Sequence, residues 1–206
     1  MTSIDISVTS LDGVWTFDGE RIRSAHANVE PYAIDFLRRW TFARFLPGSI
    51  LTLGFESDQP YSEYGSYGDR YGGVQVLRLR PDSSDWQLVA IEYEDRRFDE
   101  EFIPKDVVWH KRGILAWSIH DSMQIQHLAS QRDDFGDPLL PQRDSDQPME
   151  YRYEFIGDWK RLDISSSGHE LTAVSNEGLE YFDLVGKRRS RDGSIWESWD
   201  DHGQAY

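Results

Sequence analysis

Apolar and polar positions alternate along most of this chain in short runs. The runs cover residues 14–17, 49–56, 73–80, 86–93, 107–110, 114–120, 123–128, 149–156, 171–174, 179–185 and 194–199. They are rich in Val, Ile, Leu, Tyr, Phe and Trp, and they are bounded by Gly, Pro, Asp and Ser clusters such as 81–85 and 165–168. In the run 149–156, Arg152, Glu154 and Ile156 alternate with Tyr151, Tyr153 and Phe155. Side chains of that period point to opposite faces of a strand. Short strands at this spacing predict a mainly β protein, an antiparallel sandwich or barrel, rather than βαβ units.

One segment has the other period. Between Pro31 and Phe45, the residues Tyr32, Ala33, Phe36, Leu37, Trp40 and Ala43 recur every three or four positions. Pro31 suits a first helical position and Pro47-Gly48 a stop, so residues 31–45 are expected to form one amphipathic helix of about four turns. Two stretches read as long loops: 61–73, where Tyr alternates with Gly and Ser, and 132–148, rich in Asp and Pro. Neither reads as an interdomain linker and no repeat stands out, so residues 1–206 are expected to form a single domain.

Composition narrows the partners. The chain has 206 residues, with 22 Lys+Arg against 37 Asp+Glu, a net charge of −15. Nucleic acid and anionic membrane would be repelled. Eight Trp, ten Tyr and ten Phe argue against disorder. With no Cys there is no thiol chemistry and no disulfide. No apolar run approaches the length of a membrane span, and the first residues lack the basic and apolar blocks of a signal peptide, so the expected location is cytoplasmic. Four of the basic residues are Lys and the rest Arg, which pairs bidentately with carboxylates.

Leu11-Asp-Gly-Val-Trp15 resembles the Gly-x-Trp signature of the calycin superfamily, the lipocalins and fatty-acid-binding proteins. The resemblance implies a single antiparallel β-barrel whose first Trp packs near a basic residue of the last strand, here Arg188, Arg189 or Arg191. A helix soon after the first strand is similar to the fatty-acid-binding-protein order. The expected fold is therefore a calycin-like barrel with the helix at 31–45.

Candidate chemistry centres on residues 107–128. If Lys111, Arg112 and Gly113 form a three-residue hairpin loop, His110 pairs with Ile114. If Asp121 and Ser122 form a two-residue turn, His120 pairs with Met123. One face then carries Val108, His110, Ile114, Ala116, Ser118, His120, Met123, Ile125 and His127. The other carries Val107, Trp109, Leu115, Trp117, Ile119, Gln124, Gln126 and Leu128. Neither suits a solvated face, so burial on both sides is expected. The mixed His, Ser and Met face has the composition of a small-molecule cavity. His120 and His127 stand too far apart along the hairpin to share one metal ion.

Glu92 is placed on a strand face with Trp86, Leu88 and Ala90, where burial would raise its pKa and suit it to acid–base work. Asp183 poses the same question. In the 61–73 loop, Tyr64 and Tyr67 would help form a lid.

The expected function is binding of a small, largely apolar or aromatic molecule inside the barrel, with cofactor-free isomerase, cyclase or lyase chemistry as the reaction such a site would support. His120, His110 and Glu92 would move protons. Ser118, Met123, His127, Tyr151, Tyr153, Tyr64 and Tyr67 would hold the ligand. No metal and no cofactor is expected, since the sequence carries no nucleotide, metal or thiol motif. The alternative is an acidic interaction module, an inhibitor or adaptor gripping a basic partner. If the helix covers the barrel mouth, Trp109 and Trp117 are left bare, and a homodimer through them is expected.

Overall fold

The computed structural model describes residues 6–26, 28–34, 39–57, 70–80, 83, 85–96, 102–127 and 151–199. Among them every regular element is a strand. The chain divides into two compact units, Met1–Ile103 and Pro104–Tyr206. Each unit holds two antiparallel sheets in which strands adjacent in sequence pair side by side, and none of the four sheets closes into a barrel. The mainly β expectation holds. The single barrel is replaced by open meanders.

The first unit opens with β1 (Val8–Thr9), β2 (Trp15–Phe17), β3 (Arg21–Ser24) and β4 (Tyr32–Ala33). The residues of the Gly-x-Trp pattern build the β1–β2 turn. Gly13 has a φ of 71°, a left-handed conformation cheap only for glycine. Ser10 Oγ and Asp12 Oδ1 accept the amides of Trp15 and Val14 at 2.9 and 3.0 Å.

A longer sheet follows, of β5 (Arg39–Leu46), β6 (Ile50–Ser57), β7 (Arg70–Leu79) and β8 (Trp86–Arg96). The expected helix at 31–45 is thus overturned: its described part is β4 and β5. The physical reason is a bulge. Trp40 pairs with Phe55, but Phe42 pairs with Gly54 and Ala43 with Leu53. The extra residue puts Trp40 and Ala43 on one face at a spacing of three. That spacing imitates a helix in a segment whose aromatic and Thr content suits a strand. The shared face, Trp40, Ala43 and Phe45 over Leu51, Leu53 and Phe55, packs on Trp15, Phe17 and Ile22 of the first sheet. Trp15 meets Trp86 edge-on at 5.3 Å and Phe17 meets Trp40 at 6.1 Å. Such a pair adds about 0.5–1.5 kcal/mol to what burial alone contributes.

A second bulge, at Val89, corrects Glu92. Leu88 pairs with Leu77 but Ala90 with Val76, so the face flips between them. Glu92 and Ala90 lie opposite Trp86, Leu88 and Ile91, and Glu92 is half-buried away from the core cluster. Over the neighbouring Gly72, the ring of Phe102 occupies the place a Cβ would take.

The second unit contains β9 (Pro104–His110), β10 (Ile114–Ile119), β11 (Ser122–His127) and β12 (Tyr151–Ile156) in one sheet. The other sheet has β13 (Trp159–Ile164), β14 (Glu170–Ser175), β15 (Leu179–Asp183), β16 (Arg188–Ser190) and β17 (Glu197–Ser198). The β9–β10 hairpin is as expected: His110 pairs with Ile114, and Gly113, at φ 84°, donates to the His110 carbonyl at 2.9 Å. The next turn comes one residue early. Ile119 pairs with Ser122, so the turn is His120-Asp121, with His120 at φ 49° and exposed.

The two sheets meet across an aromatic cluster. Phe155 lies 4.9 Å from Phe182 and 5.3 Å from Trp199, and Tyr153 lies 5.8 Å from Trp199. Met123 and Ile125 share the Phe155 face. The face expected to line a ligand cavity is therefore mostly filled core, and Ser118 and Met123 are fully buried within it. Asp106, 2% exposed, ties the sheets: its carboxylate accepts the Val107 amide at 2.9 Å and the Leu162 amide at 2.8 Å. The other face is buried as well. Trp117 is 0% and Trp109 5% exposed, so the bare aromatic patch that pointed to a homodimer is absent at these two residues.

Candidate functional site

At one end of the second unit three turns converge: Lys111–Gly113 between β9 and β10, 165–169 between β13 and β14, and 184–187 between β15 and β16. A cleft of about 280 Å³ opens there. Its apolar lining is Ile114, Ile125, Tyr153, Leu184 and Val185, joined by Gly168 and by the basic side chains Arg112, His169 and Lys187. No Asp or Glu is among the described lining residues.

Local chemistry shapes each wall. Asp183 accepts the amides of Val185 and Gly186 at 3.2 and 2.9 Å and pairs with Arg188 at 2.6 Å, which folds the 184–187 turn. Partial burial pushes the Asp183 carboxyl upward, but these amides and the Arg188 guanidinium prevail and hold it below its ordinary value. The Leu184 amide donates to the His169 carbonyl at 2.8 Å, tying this turn to the 165–169 turn. Arg112 hydrogen-bonds the Nε2 of His169. A guanidinium only donates, so in this contact the imidazole nitrogen is the acceptor. Lys187 Nζ stands 5.7 Å from the centre of the Tyr153 ring, a cation–π contact over the cleft floor.

His110 sits behind this wall. Its Nδ1 accepts the Arg112 amide at 3.3 Å and its Nε2 faces the Ser166 carbonyl at 3.1 Å, which fixes a neutral ring donating from Nε2. Burial lowers its pKa first, and Lys111, Arg112 and His169 lower it further against the opposing bond to Ser166. Gly168, at φ 70°, lies against this imidazole so closely that a Cβ would collide with the ring.

Of the expected site residues, Tyr153 lines the cleft, and His110 braces it without lining it. His120 lies in the β10–β11 turn, where its carbonyl accepts Lys105 Nζ. Ser118 and Met123 are core, and Glu92 belongs to the first unit. His127 and Tyr151 pair with each other at the ends of β11 and β12, but their side chains lie outside the described residues. Tyr64 and Tyr67 lie outside them altogether. None of His110, His120 and Glu92 is among the described residues that line this cleft. Sequence reading missed Arg112, Gly168, His169, Leu184, Val185 and Lys187, all turn residues that meet only through the packing of two sheets. The one available signal was Asp183 followed by Gly186, a side chain that accepts from the amides after it.

Among the described residues no group of three His, Asp or Glu is arranged to hold a metal ion, and no helix is long and apolar enough to cross a membrane. No protein-family model matches the chain, and no curated protein matches it.

Proposed function

We propose that this protein binds a small, largely apolar or aromatic molecule in the cleft at the turn end of the second unit. The observation that supports this reading is the lining itself: an apolar floor of Ile114, Ile125, Tyr153, Leu184 and Val185 with a few polar groups converging at its edge. Ligand sites have that composition, a mostly apolar surface plus a small number of orienting groups. Any proton transfer to a bound molecule falls to His169, the imidazole on the described wall. Native mass spectrometry of freshly purified protein is expected to reveal a co-purified small molecule. Val185, 69% exposed at the cleft edge, gives a blocking variant that spares the core. Val185→Trp should keep the fold and lose the bound mass. If apolar and aromatic compounds titrated to millimolar leave the methyl resonances of Ile114 and Ile125 unmoved, the reading fails. If instead the chain captures a basic protein in a salt-sensitive manner through a surface that Val185→Trp does not touch, the acidic interaction module replaces it.

A further inference from the structure

One half-buried imidazole joins two of the turns that build the cleft. His110 ends β9, its Nδ1 accepts the Arg112 amide at 3.3 Å, and its Nε2 donates to the Ser166 carbonyl at 3.1 Å. Gly168 lies directly against the ring. Arg112 and Gly168, with the neighbouring His169, belong to the cleft lining. Resting on the binding reading above, we propose that His110 is a proton-operated gate on this cleft: neutral, it holds the two turns in the ligand-binding arrangement, and protonated, it releases both the turns and the ligand.

The switch lies at one nitrogen. Nε2 carries a proton in both states, so the bond to Ser166 survives protonation. Nδ1 turns from acceptor to donor and then faces the Arg112 N–H, donor against donor. Gly168 touches the ring, and the neighbouring His169 carbonyl accepts the Leu184 amide at 2.8 Å, so a displaced ring acts on all three turns of the cleft. The charged and titratable groups facing the imidazole are Lys111 and Arg112 of its own hairpin turn and His169 of the 165–169 turn. Burial and these three groups all disfavour a cation on the ring, so the gate works below the ordinary imidazole value of 6.5. Linkage is reciprocal: a ligand that prefers the neutral form must lower the His110 pKa by the same factor by which protonation weakens its binding.

Two neutral probes, 2-naphthalenemethanol and indole, leave all titration to the protein. Binding to the full chain is read from the Ile114 and Ile125 methyl signals between about pH 8 and pH 5. Affinity should hold steady at the alkaline end. Below the folded pKa of His110 it should fall by at most about tenfold per pH unit, levelling off once the bound form is itself protonated. Saturating probe should lower the His110 imidazole pKa by the matching amount. His110→Gln keeps a donor for Ser166 and does not titrate, so its affinity should not vary with pH, whereas His169→Gln should keep the wild-type pH profile whatever its affinity. If wild-type affinity is the same at both ends of the range, or the probe leaves the His110 pKa unmoved, the gate is overturned and the binding cleft stands. These two wild-type measurements decide even where His110→Gln fails to fold. A pH dependence that persists in His110→Gln, or that comes with loss of the dispersed Ile114 and Ile125 signals, also overturns the gate. If neither probe moves those signals at pH 8, both readings fall.

Discussion

The two units share a plan and differ in what their polar groups do. Each packs two meanders over an aromatic core, and each carries the same hairpin device. In the first, Phe17 is buried and Asp18 accepts the amides of Glu20 and Arg21 and pairs with Arg23 at 2.8 Å. In the second, Phe182 is buried and Asp183 accepts two amides and pairs with Arg188. Net charge does not separate them: 10 Lys+Arg stand against 18 Asp+Glu in the first unit and 12 against 19 in the second. What separates them is placement. Among the described residues of the first unit the buried polar side chains are Thr41, Thr52 and Gln75, all uncharged. The second holds a buried carboxylate between its sheets and gathers basic side chains around an apolar cleft. The comparison teaches that charge arrangement at converging turns, rather than composition, marks the candidate site.

The strongest way to break this comparison is to attack the buried sheet of the second unit. Trp117 is fully buried, so Trp117→Glu places a charge in the interior of the unit, away from water. The cost should be several kcal/mol, enough to unfold the unit. Loss of dispersed methyl resonances from Ile114, Ile119 and Ile125 would report it. A folded variant with native-like spectra would show that Trp117 faces solvent or a second chain.

A smaller effect tests the sheet-to-sheet tie. Asp106→Ala leaves the Leu162 amide buried without its acceptor and should cost about 1–3 kcal/mol in urea denaturation. The first unit supplies the control. Thr52 is also fully buried, but its hydroxyl bonds only the Arg44 carbonyl of the adjacent strand at 3.1 Å. Thr52→Val should cost about 1 kcal/mol or less. Equal costs would mean that Asp106 is no more than another buried polar group.

Much of this fold was legible, and the failures have physical causes. The alternation around Ile114–Ile119 and the faces of its hairpins read correctly, because local turn chemistry sets register there. His120 moved out to the turn although the face assignment survived, since a shift of the turn by one residue on each strand conserves parity. At Trp40–Phe42 and Val89, one inserted residue changed the phase, and sequence periodicity has no way to distinguish a bulge from a helix over so few positions. The matching segments 13–24 and 178–190 both place Phe-Asp before the turn and an Arg five positions after the Asp, Arg23 and Arg188, but one extra residue between the Asp and the closing Ser, Ser24 or Ser190, breaks their alignment. The cleft depends on turns far apart in sequence. Of the expected ligand residues whose side chains the structure describes, Ser118, Met123 and Tyr153, Tyr153 lines it, and its place follows from strand alternation.

Glycine substitutions sharpen the comparison further. Gly19 and Gly168 both have left-handed backbones, at φ 89° and 70°. A Cβ at Gly19 meets only the Ile6 carbonyl oxygen at 3.5 Å, an ordinary contact. Gly19→Ala should therefore cost only the backbone strain, about 1–2 kcal/mol. Gly168→Ala adds a collision with the His110 ring, so it should cost more and also displace the cleft wall. The check is whether His110 ring resonances shift in Gly168→Ala and stay put in Gly19→Ala.

The mildest perturbation is protonation. The His110 bonds require a neutral ring, and its pKa is held below the ordinary 6.5 by burial and by Lys111, Arg112 and His169. For a histidine whose folded pKa is depressed, the stabilising contribution is fully present above the unfolded value. It declines as pH falls below 6.5 towards the folded pKa, because the unfolded state takes up the proton first. At the corresponding hairpin of the first unit the titrating group is a carboxylate: Asp18, pulled up by partial burial but held down by Arg23 and the amides of Arg21 and Glu20, sits below 3.8 and loses its contribution only under that value. Mild acidification should thus loosen the second unit's cleft end before it affects the β2–β3 hairpin. Hydrogen exchange at the Arg112 amide, which donates to His110 Nδ1, should lose protection as pH falls from 6.5 towards the folded pKa of His110, by at most about tenfold per unit, and level off below it. The Arg21 amide, which donates to Asp18 at 2.8 Å, should keep its protection down to the carboxylate range. If both amides lose protection together near pH 6, a global transition rather than His110 controls the response, and the cleft end is no softer than the rest of the molecule.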